Sequence, residues 1–201
     1  MKTLKKIFVF MLIVLIALPQ NILAQSTDVT KKKAKDMKQI INDVSYLPTI
    51  NLYFGDEKLS FDTPTKSIMA AALTTYAVSE KTSLTQAKQN MQLLFGTSDF
   101  KLPKSNEFPY SLFEQKKNTI YYHGGGEWGD SGPYFKIKKI TQISKYKYLC
   151  SVNYYIENPD GISYIGNFSF NLKPAKNQYG YIVTGMKQNT ECGYSKLLKE
   201  Y

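Results

Sequence analysis

The chain has 201 residues, and its 26 basic residues, all lysine, stand against 16 acidic ones, giving a formal net charge of +10. Arginine supplies the planar fork that grips phosphates and guanine edges bidentately, so its absence argues against sequence-specific nucleic-acid readout. A single histidine and two distant cysteines offer no CxxC, HxH or HExxH spacing, which excludes a zinc centre; neither metal nor cofactor is expected.

The N-terminus predicts an exported protein. Lys2, Lys5 and Lys6 form a positive flank, Ile7 to Leu18 an unbroken apolar core, and Pro19 ends it. Ile22-Leu23-Ala24 then supplies a cleavage site before Gln25, so residues 1–24 read as a secretory signal peptide and the expected location is extracellular. The apolar core falls short of the roughly 20 residues that cross a bilayer, so no stable membrane span is expected after cleavage. With no cysteine at the signal's end, lipid attachment is not expected. Cleavage leaves 177 residues, enough for one domain with a sizeable core. It also removes three lysines, so the exported chain carries +7. That surplus reads first as a solvated surface, and secondly as loose attraction to polyanions such as wall polymers or anionic lipid.

Residues 25–36 (QSTDVTKKKAKD) read as a basic, flexible lead, and residues 37–201 as a single α+β domain. Met37, Ile40, Ile41 and Val44 recur at i, i+3, i+4 and i+7, the stripe of an amphipathic helix that Pro48 is expected to close. A basic amphipathic helix can lie on a membrane surface, but docking on a core is the commoner use. Ile50–Phe54 and Leu59–Phe61 around Gly55-Asp-Glu-Lys58 predict a small hairpin. Thr63-Pro64 predicts a helix start with a threonine cap, running to about Val78 with Ile68, Met69, Ala72, Leu73 and Tyr76 inward. Ser83 with Gln86 predicts a capping box for a helix carrying Leu84, Ala87, Met91, Leu94 and Phe95, closed by Gly96.

After an irregular connection over 97–117 the period changes to two. Strands are predicted near Thr119–His123, Tyr134–Ile140, Tyr146–Ile156, Ser163–Leu172 and Tyr179–Met186. In the third, Tyr148, Cys150, Val152, Tyr154 and Ile156 share one face, and Lys147, Ser151, Asn153 and Glu157 the other. In the fourth, Tyr164, Phe168, Phe170 and Leu172 oppose Asn167, Ser169 and Asn171. One dry and one wet face predicts a curved antiparallel meander with the N-terminal helices packed on its dry side. Cys150 and Cys192 are disulfide candidates in an oxidising compartment; the alternative is two buried thiols. A bond would close about 42 residues, worth roughly 3–4 kcal/mol in the chain-entropy model.

The segment His123-Gly-Gly-Gly-Glu-Trp-Gly-Asp-Ser-Gly132 superficially combines an esterase oxyanion loop with a hydrolase nucleophile motif. Its mechanics fail: the two parts belong at different strand ends, and Gly132-Pro133 leads into a strand rather than a helix. The only histidine sits eight residues before Ser131 on the same loop, where it cannot be placed independently as a base. No catalytic residue is assigned. As a glycine-rich loop, however, the segment can present Glu127, Trp128 and Asp130 to a sugar or peptide. A chain with 16 tyrosines, many on the strands, leaves some rings in solvent, and Tyr155 is the candidate for a contact surface.

Residues 82–188, through TSLTQAKQNMQLLFG, DFKLP, YYHGGGEWGDSGPYFKIKKI, YYIENPDG and GYIVTGMK, resemble a C-terminal module of uncharacterised secreted proteins from Gram-positive bacteria. The order of helices then meander is also similar to nuclear-transport-factor-like and cystatin-related folds. The hairpin expected at 50–61 departs from that pattern. The resemblance implies a fold and carries no catalytic residue with it. The expected function is non-catalytic binding or scaffolding at the cell envelope, with a cell-wall polymer, carbohydrate or protein as partner. The alternative is a small secreted hydrolase using a carboxylate in a tyrosine-lined pocket.

Overall fold

In the computed structural model, which describes residues 26–55, 57–78, 80–103, 105–124, 132–159 and 161–190, the helices precede the four long strands of the larger sheet as the change of period predicts. The lead is not a free tail: Thr27–Asp28 forms a short strand, β1, and helix α1 runs over Thr30–Phe54. Asp28 Oδ1 accepts hydrogen bonds from the Thr30 amide (2.9 Å) and hydroxyl (2.7 Å), fixing the turn between them. The expected apolar stripe is fully buried at Met37, Ile40, Ile41 and Val44.

Pro48 does not close α1, and the predicted hairpin at 50–61 does not form. The helix continues to Phe54, burying Ile50, Leu52 and Tyr53. Proline deprives the Val44 carbonyl of its partner and crowds it. Around this defect, the Ser45 hydroxyl donates to the Ile41 carbonyl and the Thr49 hydroxyl to the Ser45 carbonyl at 2.6 Å. Three more apolar side chains in the core outweigh one missing hydrogen bond, since burial of each contributes about 1.5–3 kcal/mol.

Helix α2 spans Thr63–Val78 and α3 spans Leu84–Phe95, with the three-residue strand β2 (Lys81–Ser83) between them. The α2 cap is one residue earlier than predicted. Asp62 Oδ1 accepts from the Thr65 amide at 2.8 Å, so Asp62 rather than Thr63 serves the first turn. At α3, Ser83 Oγ accepts from the Gln86 amide at 3.1 Å, and Gly96 closes the helix at φ 72°. A β-carbon at Gly96 would be strained there and would meet Ile182 Cδ1 at 3.0 Å. The Gln86 side chain turns to Asn90 instead of completing the box, and Asn90 donates to the Ala70 carbonyl (2.8 Å), tying α3 to α2.

Two antiparallel sheets follow instead of one continuous meander. Phe113–Lys116 (β3) and Thr119–Tyr122 (β4) form a hairpin, and β2 adds to β4, giving the order β2-β4-β3. This small sheet lies against α2 and α3. The large sheet has the order β1-β5-β6-β7-β8, with β5 at Gly132–Ser144, β6 at Lys147–Asn158, β7 at Gly161–Pro174 and β8 at Tyr181–Gln188. It is open, not closed into a barrel. Its dry face carries Cys150, Val152, Tyr154, Ile156, Phe168, Phe170 and Leu172, all buried, and α1 lies across β5, β7 and β8. The fold is therefore α+β with the helices on one face of the sheet. Among the described residues no helix is long and apolar enough to cross a membrane.

The Asp62 cap couples stability to pH. Partial burial pushes its carboxyl up, but hydrogen bonds from Thr65 and Ser60 outweigh this and leave it below its ordinary 3.8. A depressed carboxyl contributes stability that is present above the unfolded-state value and lost as pH falls through the folded one. Asp62→Ala is expected to cost about 1 kcal/mol at neutral pH. Chemical denaturation should show that difference shrinking as the pH is lowered below about 4.

Candidate binding face on the large sheet

Period-two alternation sets the wet face of the large sheet, and antiparallel register stacks its side chains into cross-strand rows. The first row is Tyr134, Tyr155 and Tyr164; the second is Lys136, Asn153 and Asn167; the third is Lys139, Ser151, Ser169 and Lys187. An aromatic row, an amide row and a hydroxyl row thus lie side by side, bordered by lysines.

Tyr164 belongs here, not on the dry face with Phe168 as the alternation predicts. Tyr155 opposes Tyr164 whereas Tyr154 opposes Gly166, so Ile165 is the extra residue of a β-bulge. The bulge turns Ile165 fully inward and leaves Tyr164 exposed. Gly166 permits it by close approach, since a β-carbon there would lie 2.8 Å from Leu52 Cδ2 of α1. The outcome is a tyrosine cluster. Tyr134 and Tyr155 stack at 5.3 Å between centroids, and Tyr155 meets Tyr164 edge-on at 5.7 Å. The Lys136 ammonium sits 5.5 Å from the centroids of both Tyr134 and Tyr155. The Tyr134 hydroxyl is buried without a hydrogen-bond partner among the described residues.

The amide row is organised by Asn167, whose Nδ2 donates to Val152 O (2.9 Å), Asn153 Oδ1 (2.8 Å) and Ser151 Oγ (3.1 Å). Asn189 extends the row: its amide nitrogen donates to the Asn167 carbonyl (2.9 Å), and its Nδ2 donates to Asn167 Oδ1 and to Ser169 Oγ (2.6 Å). Asn153 Nδ2 donates to the Tyr155 hydroxyl at 3.2 Å, joining the amide row to the rings. These side chains orient one another, so the face is organised before anything binds.

Charge on this sheet is one-sided. Strands β5 to β8 hold six lysines (136, 138, 139, 147, 173 and 187) and one acid, Glu157. Asp28 on the edge strand adds a carboxylate near Lys139. No described helix covers the wet face.

Of the residues singled out in the sequence, Tyr155 lies in this cluster. Glu127, Trp128 and Asp130 fall outside the described residues, as does Ser131. His123 is exposed on the small sheet, where its Nε2 meets Glu114 Oε2 at 3.1 Å and Lys116 Nζ approaches the same oxygen at 2.9 Å. Hydrogen bonds from Lys116 and His123 hold the Glu114 carboxyl below its ordinary value. Asp28 and Asp62 are also held low, with hydrogen bonds from Thr30 and Thr65 among the causes, opposite to what a desolvated general acid requires. Among the described residues no cluster of histidine, cysteine or carboxylate side chains could hold a metal.

The disulfide expected between Cys150 and Cys192 is not seen. Cys150 is a free, fully buried thiol on the dry face of β6, and Cys192 lies outside the described residues. The same alternation that places Tyr148, Val152 and Tyr154 inward carries Cys150 in with them. Burial pushes its thiol up to about 12. No protein-family model, curated protein or solved structure matches this chain.

A thiol reagent at pH 8 should leave Cys150 unmodified in the native protein and label it only in denaturant, read by mass spectrometry of the Cys150 peptide. Asn167→Ala should destabilise the fold by about 1–3 kcal/mol in chemical denaturation, because its buried partners lose their donor. Lys136→Ala, in which only an exposed cation beside half-buried rings is lost, should cost less than about 1 kcal/mol.

Proposed function

We propose that the protein is an exported, non-catalytic binding module of the cell envelope, working through the wet face of its large sheet. One observation carries the reading: a bulge delivers a third tyrosine to a ring cluster that adjoins a self-organised amide and hydroxyl network on a face no described helix covers. Rings offer apolar contact with a polar tip, and fixed amides offer directional hydrogen bonds, the mixture typical of binding surfaces. The N-terminal lysines and apolar run supply the address, and the resemblance to secreted proteins of Gram-positive bacteria agrees with it. The glycine-rich loop with Glu127, Trp128 and Asp130 would extend the contact surface. The hydrolase alternative has less support, because hydrogen bonds leave the carboxyl groups of Asp28, Asp62 and Glu114 below their ordinary values.

Two measurements test the reading. The protein recovered from the producing cell's exterior should begin at Gln25; recovery only from cytoplasm with residues 1–24 intact would defeat the location. Purified protein should co-sediment with isolated envelope material, and Tyr155→Ala should reduce the bound fraction severalfold while Lys176→Ala, on the distant β7–β8 turn, should not. Equal capture of the Tyr155→Ala protein, with an unchanged unfolding midpoint, would remove this face from the function.

A further inference from the structure

Given that reading of the wet face, we infer that its ligand is an anionic polysaccharide, a sugar chain bearing carboxylate or phosphodiester groups. The three rows specify its chemistry. Tyr164, exposed, and Tyr155, half-buried and backed by Tyr134, present ring surface suited to the C–H faces of sugars. Asn153, Asn167 and Asn189, with Ser151 and Ser169, present donors and acceptors suited to hydroxyl groups. Lys136 and Lys139 on one side and Lys187 on the other present positive charge.

Their placement selects an extended ligand. Adjacent strands lie about 4.8 Å apart, so the row from Lys139 through Ser151 and Ser169 to Lys187 spans roughly 14 Å, longer than one sugar ring. Successive rows on one face are about 7 Å apart along the strands, so rings and amides can engage neighbouring units of one chain. The charge imbalance then decides between neutral and acidic glycans. Six lysines against Glu157 within β5–β8 leave a positive field that an uncharged chain would not exploit. The absence of arginine fits a ligand held by distributed ammonium contacts and hydroxyl hydrogen bonds, not by bidentate clamps.

The test compares polymers that differ in one property. Full-length exported protein is titrated by calorimetry with polygalacturonate, with its fully methyl-esterified counterpart, with a phosphodiester-linked mannan and with poly-glutamate. Binding to polygalacturonate or to the phosphomannan is expected, and which one binds tells carboxylate from phosphate. The esterified polymer should bind at least about tenfold more weakly, and raising salt from 0.05 to 0.5 M should weaken charged-polymer binding severalfold. Tyr155→Ala should weaken it about tenfold, and Lys136→Gln, an exposed change that spares the fold, about threefold.

Equal affinity for the esterified polymer would overturn the charge requirement. Binding of poly-glutamate as tight as that of the acidic glycans and insensitive to Tyr155→Ala would overturn the sugar requirement. Failure of both charged glycans while envelope capture still depends on Tyr155 would defeat this inference and leave the binding-module reading intact. Loss of envelope capture altogether would defeat both.

Discussion

The large sheet has one face that must be kept from water, and helix α1 is what keeps it there. Cys150, Val152 and Tyr154 on β6 and Phe168, Phe170 and Leu172 on β7 form a continuous apolar surface, and Met37, Ile40, Ile41, Val44 and Leu47 are buried in the same cluster. At about 1.5–3 kcal/mol each, these buried side chains together outweigh the net stability of an ordinary domain, so no other interaction among the described residues competes with this one. A polar seam within it is satisfied: Tyr154, fully buried, donates its hydroxyl to Ser45 Oγ at 3.2 Å, and Ser45 donates in turn to the Ile41 carbonyl. Burial also pushes the Tyr154 phenol upward, keeping it a neutral donor.

That constraint explains why α1 outruns its proline. Leu52 reaches the bulge at Gly166, where a β-carbon would meet Leu52 Cδ2 at 2.8 Å. Had α1 ended at Pro48, that contact and the burial of Ile50 and Leu52 would have been lost. The far end of the sheet is tied down in the same way. Tyr179 donates to Asp43 Oδ2 of α1 at 2.6 Å, and Asn177 donates to the Leu93 carbonyl at the end of α3. The helical layer therefore sets the bulge, and the bulge sets which way Tyr164 points. The wet face owes its third ring to packing on the dry one.

Much of this was legible in the sequence because local chemistry and burial agree there. Ser83 and Gly96 bound α3 with the residues such ends favour, and the alternation through Tyr148–Ile156 sorts β6 into its two faces correctly. The errors fall where a long-range contact overrides a local rule. Pro48 is a helix stop only if nothing beyond it needs burying. Leu59–Phe61 reads as a strand, but its would-be partner at Ile50–Phe54 is committed to α1. Thr27–Asp28 is too short and polar to show a period, and it is ordered by the edge of β5. Tyr164 is misplaced by strict alternation because one bulged residue reverses every side chain beyond it. The only local sign was Gly166, which inside a strand marks a bulge or a close approach. Asn153 and Asn167 were placed on the wet face from sequence, but their convergence on one amide network depends on register, which no single strand carries.

The two faces also differ in how each meets its hydrogen-bonding obligations. The dry face pairs Tyr154 with Ser45, whereas on the wet face the buried Tyr134 hydroxyl has no partner among the described residues. The asparagines of the wet face hydrogen-bond one another, and the Lys136 ammonium stands beside the half-buried rings of Tyr134 and Tyr155. A surface arranged this way gives up water and little else when a hydroxyl-rich chain lies along it, because its side chains are already ordered and that entropy has been lost in folding. Order in advance favours many weak, directional contacts repeated along an extended partner. The rows of tyrosine, asparagine and serine, about 7 Å apart along the strands, repeat on the length scale that such a partner presents.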